Sequence, residues 1–386
     1  MGKLVNTSFD QEWSKEEVAI GDTVKVRRPP EFTVRTGATA SAQDVNVGSV
    51  SITIDKQRGV DVQLTSKEKT LDVDKLLENQ ILKAKAAALA QQIDADVIDT
   101  ALGFPHWVGT PGQTINSFSD FAIGPQRMDE LAIPNDSRYA VLAPADYWAL
   151  AANFTSLAAS DTTVRTALEK AKLPMVGNVE VYMSQNVKNV TTGTRTNGTI
   201  SGANQNVTYD AVKSTYTQTL NVSGVGANAT IKRGEVFTIA NVNAVNPRSK
   251  ADLGYLQHFV VLADATADGT GNVTLTIANP IITSGAYQTV TAAPANGAAV
   301  TWIGSASTSY RQNFLFHREA IALVGARLAE PKTGVYSYAT DPDTGITVRY
   351  WESSDVVNDT HLARCDVLYG VKLIDSRLGI RLSGTP

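Results

Sequence analysis

A chain of 386 residues, 43% hydrophobic and 19% charged, is longer than one ordinary core organises, so two or three domains are expected. Its net charge of −4 argues against a dedicated nucleic-acid binder, and one cysteine, Cys365, excludes an intrachain disulfide. No apolar run approaches the ~18 residues of a membrane span, and residues 1–6 lack the apolar centre of a signal peptide. A cytoplasmic protein without a membrane segment is expected.

Residues 1–20 read as an arm with a short helix near 11–19. Residues 21–70 read as an extended β-hairpin. Val50, Ile52 and Ile54 alternate, then Val60, Val62 and Leu64 alternate, and Asp55-Lys56-Gln57-Arg58-Gly59 between them reads as the turn. Val24 and Val26 alternate ahead of Pro29-Pro30, a pair that no central strand tolerates. Beyond Phe32, as far as position 46, only Val34 and Val45 are core-sized, so this stretch reads as a loop needing another surface to lie on.

Residues 71–102 contain no Gly or Pro, and Leu82, Ala86, Leu89, Ile93, Val97 and Ala101 form one helical stripe. Thr70 or Asp72 can cap its start; Gly103 and Pro105 end it. At ~1.5 Å per residue this helix spans about 48 Å, the length of a spine and not of a packed core helix. Residues 71–189 also hold the end of a helix at 129–133, a buried strand at 139–142 and helices at 144–153 and 164–171. Residues 190–309 change character: they hold 20 Thr but one Glu and 5 Leu, a composition that rules out a helical domain. Short Thr/Val/Ile alternations at 236–239 and 273–277 predict an inserted all-β domain. Residues 310–386 return to ordinary composition, with strands at 346–350, 362–369 and 371–374. These are expected to pair with strands from 103–189.

No motif for chemistry emerges. His106, His258, His317 and His361 have no ligand spacing among themselves; Cys365 follows His361 by four, but in a stretch that reads as strand, where that spacing does not converge, and it reads as a small buried side chain. Gly224-Val225-Gly226 resembles a dinucleotide fingerprint, but strand-forming residues follow it where a helix is needed. Asp264, Asp268 and Asn272, and likewise Asp341-Pro342-Asp343-Thr344-Gly345, lack the spacing of a calcium loop and read as turns. No metal, cofactor or catalytic residue is expected. The basic side chains Lys25, Arg27, Arg28, Arg35, Lys56 and Arg58 outnumber Glu31, Asp44 and Asp55 along the hairpin. They read either as a solvated face or as a surface that docks on acids of a neighbouring chain. Glu78, Asp94, Asp96 and Asp99 on the spine helix are the candidate partners.

Several stretches in order resemble one family. They are Asn135-Asp136-Ser137-Arg138-Tyr139-Ala140-Val141-Leu142-Ala143-Pro144-Ala145-Asp146-Tyr147, Ile231-Lys232-Arg233-Gly234-Glu235-Val236, Phe314-Leu315-Phe316-His317-Arg318-Glu319 and Arg364-Cys365-Asp366-Val367-Leu368-Tyr369. The chain resembles tailed-phage major capsid proteins of the Hong Kong ninety-seven fold, in the short-tailed Salmonella-phage branch that carries an inserted β-barrel domain. The resemblance implies an α+β fold with N-terminal arm, extended loop, spine helix, peripheral and axial domains, and a barrel at 190–309. It implies self-assembly into hexamers and pentamers of an icosahedral shell around non-specifically held double-stranded DNA. The implied partners are a separate scaffolding protein, a portal protein and, in some shells, a decoration protein, with assembly in the host cytoplasm. In that branch a charged loop joins capsomers. The matching stretch, 204–215, offers Asp210 and Lys213, and residues 247–256 offer Arg248, Lys250 and Asp252. An encapsulin-type compartment and a β-rich surface protein are the alternatives; the barrel argues against the first and the missing signal sequence against the second.

Overall fold

The computed structural model describes residues 4–7, 23–28, 30–34, 37–38, 42–43, 47–71, 75–157 and 175–386. The helices expected at 11–19 and 164–171, Arg35 and the side chain of Glu78 lie outside the described residues. Two compact units are formed: residues 1–26, 51–100 and 321–372 make the first, and residues 27–50, 101–320 and 373–386 the second.

In the first unit, β3 (Lys56–Thr65) is followed by α1 (Ser66–Leu71) and α2 (Lys75–Ala101). Four later strands, β18 (Ile321–Ala326), β19 (Val335–Thr340), β20 (Thr347–Asp355) and β21 (Thr360–Leu373), join β3 in one sheet. Asn6 adds to β18 through a parallel bridge to Ala322. The long helix is present, and its 27 residues span about 40 Å. It turns Lys85, Leu89, Asp96, Val97, Ile98 and Ala101 inward. Leu82 and Ala86, the first members of the expected stripe, instead stay exposed and line a groove of about 580 Å³ with Val62, Leu64, Ala339 and Val348.

The expected hairpin is corrected. Strand β2 (Ser49–Thr53) pairs with β1 (Thr23–Arg27), not with β3. The supposed turn 55–59 is mostly strand, and β3 pairs antiparallel with β21, Gly59 opposite Asp366. Gly59 serves close packing, because a Cβ there would lie 2.6 Å from Asp366 Oδ1. Asp366 is in turn held by Arg349 Nη2 at 2.7 Å and Arg364 Nε at 2.8 Å. The strands expected at 362–369 and 371–374 are one strand, β21, which pairs with β20 and β3 and not with 103–189.

In the second unit, β4 (His106–Val108), β22 (Gly379–Leu382), β17 (Asn313–His317), β5 (Arg138–Leu142) and β6 (Glu180–Met183) form a mixed sheet in that order. Helices α3 (Phe118–Glu130) and α4 (Pro144–Leu157) supply Phe121, Met128, Tyr147 and Leu150 to its core, beside Leu142, Leu315 and Ile380. Asp146, fully buried, explains why the Pro-X-Asp-Tyr stretch starts a helix here. Its carboxylate accepts from Ile115 N–H and Asn313 Nδ2, each at 3.0 Å, and so pins α4 to β17.

The stretch rich in threonine is a closed barrel of β11 (Val236–Val245), β12 (Asp252–Val261), β14 (Val273–Ala278), β9 (Thr217–Ser223), β8 (Gly198–Ile200) and β15 (Ala299–Trp302). Alternate residues point inward, so Leu220, Val222, Phe237, Ile239, Phe259, Leu275, Ile277 and Trp302 fill it. A small pair, β10 (Thr230–Ile231) and β13 (Ala265–Thr266), lies beside it, and α5 (Tyr209–Val212) is a single turn. At its ends β7 (Asn189–Thr191) pairs with β16 (Ser309–Arg311), so chain entry and exit run side by side. The two segments expected as turns are turns: Asp268 accepts from Thr270 and Asn272 amides at 2.8 Å, and 341–346 joins β19 to β20.

Candidate assembly interface

The basic residues expected on one docking loop separate into three environments. Lys25 and Arg27 are exposed on β1. Arg28, expected to reach a neighbouring chain, is buried at 5% exposure with its guanidinium 4.3 Å from the centre of the Tyr216 ring. Burial pushes its pKa down, partly offset by the charge of Asp375. Lys56 and Arg58 lie on β3 and reach Asp96 of their own chain, at 3.4 and 3.3 Å.

The expected complementarity between basic strand and acidic helix is therefore made within one chain. Asp96 also accepts from Tyr369 Oη at 2.7 Å and Gln92 Nε2 at 3.2 Å. Burial works to raise its pKa, but the Tyr369 hydroxyl, Lys56 and Arg58 outweigh this and hold it low. The tyrosine moves the opposite way: burial and the carboxylate raise its pKa. Asp94 and Asp99 are half-buried on α2, each engaged by other groups of the chain. Asp96→Asn keeps the shape but turns an amide donor toward these donors. It is expected to cost about 2 kcal/mol, read as a lower denaturation midpoint; an unchanged midpoint would refute the cluster's role.

The two candidate inter-capsomer stretches are also largely satisfied internally. Asp210 and Lys213, on and just after α5, pair with each other at 3.4 Å. Lys250 is not a protruding charge. It sits in the left-handed region at φ +58°, in a turn where Asn246 Oδ1 accepts the Arg248 and Ser249 amides. From there its ammonium meets Glu31 at 3.0 Å, and burial lowers its pKa against the pull of that carboxylate. Asp252 Oδ1 accepts from Gly254 N–H at 2.8 Å and Oδ2 from Asn243 Nδ2 at 3.0 Å. Arg248 is exposed beside a shallow depression lined by Asp129 and residues 132–135.

The sequence reading named Glu31 and Lys250 but missed that they meet, with Asp375, Arg377, Tyr209 and Tyr287, at the root of the 28–48 segment. Glu31 bridges Lys250 and Arg377, the latter at 2.8 Å. Arg377 also grips Asp375 at 2.8 Å. Burial works to raise the Asp375 carboxyl, but Arg377 holds it below the usual carboxylate range. Tyr209 and Tyr287 stack nearby. These residues are scattered over more than 340 positions (Glu31 to Arg377), and no spacing rule joins them. The Asp-X-Arg pair at 375 and 377 was the one local hint.

A long helix with an antiparallel sheet, a two-stranded extension, a second mixed sheet and an inserted closed barrel define a capsid-type shell subunit. The family model described as "P22 coat protein - gene protein 5" matches residues 11–384. The chain belongs to this family and is a major capsid protein of a tailed phage. It is 24% identical over 388 residues to the major capsid protein of Acyrthosiphon pisum secondary endosymbiont phage 1, covering 95% of this chain and 90% of that one. Among solved structures it is similar to that of Mycobacterium phage Che8, with TM-score 0.45 and 11% identity, covering 94% of this chain and 84% of that one. It is also similar to the CUS-3 coat protein I-domain, 30% identical with TM-score 0.21, over 28% of this chain and 96% of that one. The compartment and surface-protein readings find no support.

Proposed function

We propose that copies of this subunit assemble in the host cytoplasm into hexamers and pentamers of an icosahedral shell that encloses double-stranded DNA. A separate scaffolding protein and a portal protein take part. Family membership carries the proposal. The segment at 30–34 supports it: Phe32 is 52% and Val34 96% exposed, an arrangement that gains from burial on another copy. Among the described residues of the basic set, Lys25 and Arg27 remain available for a neighbour, while Arg28, Lys56 and Arg58 act within their own subunit. The division into an arm (1–20), an extended segment (21–70), a first body segment (71–189), a barrel domain (190–309) and a second body segment (310–386) belongs to the same proposal. DNA contact is weak and non-specific, in keeping with a net charge of −4.

Electron microscopy of the chain co-expressed with its scaffolding protein tests the reading. Closed shells are expected, and monomers alone under those conditions would overturn it. The double reversal Lys25→Glu and Arg27→Glu is expected to leave the monomer's circular dichroism unchanged and to slow shell formation, the more so at low salt. Shells forming at the wild-type rate at low salt would remove these two residues from the interface.

A further inference from the structure

The 28–48 segment is gripped at both legs. Arg28 N–H donates to Gly48 O at 2.9 Å, which draws the legs together. Glu31 N–H donates to the Tyr287 phenol oxygen at 3.2 Å, and Gly48 N–H donates to the Tyr209 phenol oxygen at 3.1 Å. The two rings stack with centres 3.5 Å apart and planes 2° apart. They form one post that presents a hydroxyl to each leg. The Glu31 carboxylate bridges Lys250 at 3.0 Å and Arg377 at 2.8 Å. Arg28 lies over the Tyr216 ring, and Arg377 lies 5.2 Å from the centre of the same ring. Gly48 is pressed so closely against this wall that a Cβ would fall 2.2 Å from Lys213 O and 2.9 Å from the Tyr209 hydroxyl.

Tyr209 opens α5, and Tyr216, Lys250 and Tyr287 lie in loops of the inserted barrel region. We infer that these barrel residues form a clasp that sets the direction in which the 28–48 segment leaves the subunit, and thereby the shell geometry that the subunit accepts. The inference rests on the assembly proposed above. Among its described residues, Phe32 and Val34 are exposed and do not pack the segment in one direction. The direction is then decided at the root. A change of direction at the root is amplified with distance along the segment. Hydrogen bonds from backbone N–H to a stacked phenol pair are directional enough to resist such a change.

Tyr209→Phe with Tyr287→Phe keeps the stack and removes both acceptors. The expected result in the free subunit is amide exchange at Glu31 and Gly48 about tenfold faster than wild type, with the circular dichroism unchanged. In assembly, a wider spread of shell diameters than wild type is expected. Should the double variant fold poorly, Glu31→Gln, which removes the charge of the bridge at constant shape, is read by the same two measurements. Unchanged exchange at both amides overturns the clasp. Faster exchange with an unchanged distribution of diameters overturns its link to shell geometry. Failure of the wild type to form any shell counts against the proposed function, while exchange in the free subunit still decides whether the clasp exists.

Discussion

Arg381→Met should destabilise the protein by about 4 kcal/mol, among the largest effects available to one substitution. Arg381 is 1% exposed, and no carboxylate pairs with it among the described residues. Its guanidinium is satisfied by dipoles alone: Nε donates to Phe104 O at 3.1 Å, Nη1 to Gly234 O at 2.5 Å and Gln312 Oε1 at 3.0 Å, and Nη2 to Leu102 O. Leu102 and Phe104 lie in the turn that directly follows α2. Gly234 lies in the turn ahead of β11 of the barrel, and Gln312 precedes β17 of the mixed sheet. One side chain on β22 thus closes the accounts of three chain segments that meet there. A methionine of similar length fills the space but leaves four acceptors buried without donors, which is why the expected loss exceeds that of an ordinary truncation. In a unit of this size such a loss lowers the melting temperature by roughly 10 °C. Arg381→Lys keeps the charge but not the planar fork, and an intermediate loss of about 2 kcal/mol is expected. Denaturant midpoints measured for both variants check this. A methionine variant within about 0.5 kcal/mol of wild type would show that water satisfies these carbonyls as well as the guanidinium does.

How much of this was legible in the sequence depends on which physical quantity a pattern reports. Alternation reports a face. Val60, Val62 and Leu64 were rightly read as a strand, as were Val50 and Ile52, but alternation is silent about the partner, so two strands adjacent in sequence were wrongly paired. The true partner of β3 lies some 300 residues away in β21, and the close fit of Gly59 against Asp366 that accompanies the pairing is invisible in one dimension. Charge complementarity reports an attraction without saying whether it is made within a chain. Lys56 and Arg58 do meet an acid of the long helix, but in their own subunit. Composition performed best, because a stretch with one Glu and 5 Leu has little means of being helical and became a barrel. Helix α3 was read only at its end, since Gly124-Pro125 interrupts the signal; Gly124 is there because a Cβ would lie 2.7 Å from Leu315. The clasp was illegible for a different reason: its residues acquire a common location only after the barrel loops and the C-terminal strand are placed.

Acidification should destabilise the second unit, and two histidines give the direction. His106 on β4 is buried and His258 on β12 half-buried, with ring centres 6.1 Å apart. Burial pushes His258 down to about 3 and His106 well below its ordinary value, and the charges of His258 and Arg127 push His106 the same way. His258 Nδ1 accepts the Trp107 N–H at 3.0 Å, a role open only to the unprotonated nitrogen. Both rings are therefore neutral in the folded protein, while in the unfolded chain they protonate near 6.5. Below that pH the unfolded state binds more protons, so stability is lost as pH falls; above it the pair contributes no pH dependence. Between pH 6.5 and 5 each ring that stays neutral in the fold contributes a loss of about 1.7 kcal/mol. Denaturant titrations of wild type and of His106→Phe with His258→Gln, whose amide oxygen can still accept from Trp107, separate this from the carboxylates. The two curves are expected to run parallel above pH 7 and to converge on acidification, with the variant losing less. Equal slopes below pH 6 would mean that the imidazoles find room to charge in place. Because Trp107 belongs to β4 and His258 to β12, protonation acts on the hydrogen bond that ties the mixed sheet to the barrel. Acid should therefore loosen the barrel from the sheet before either core melts, a sequence that separate exchange rates for the Trp107 and Leu315 amides would resolve.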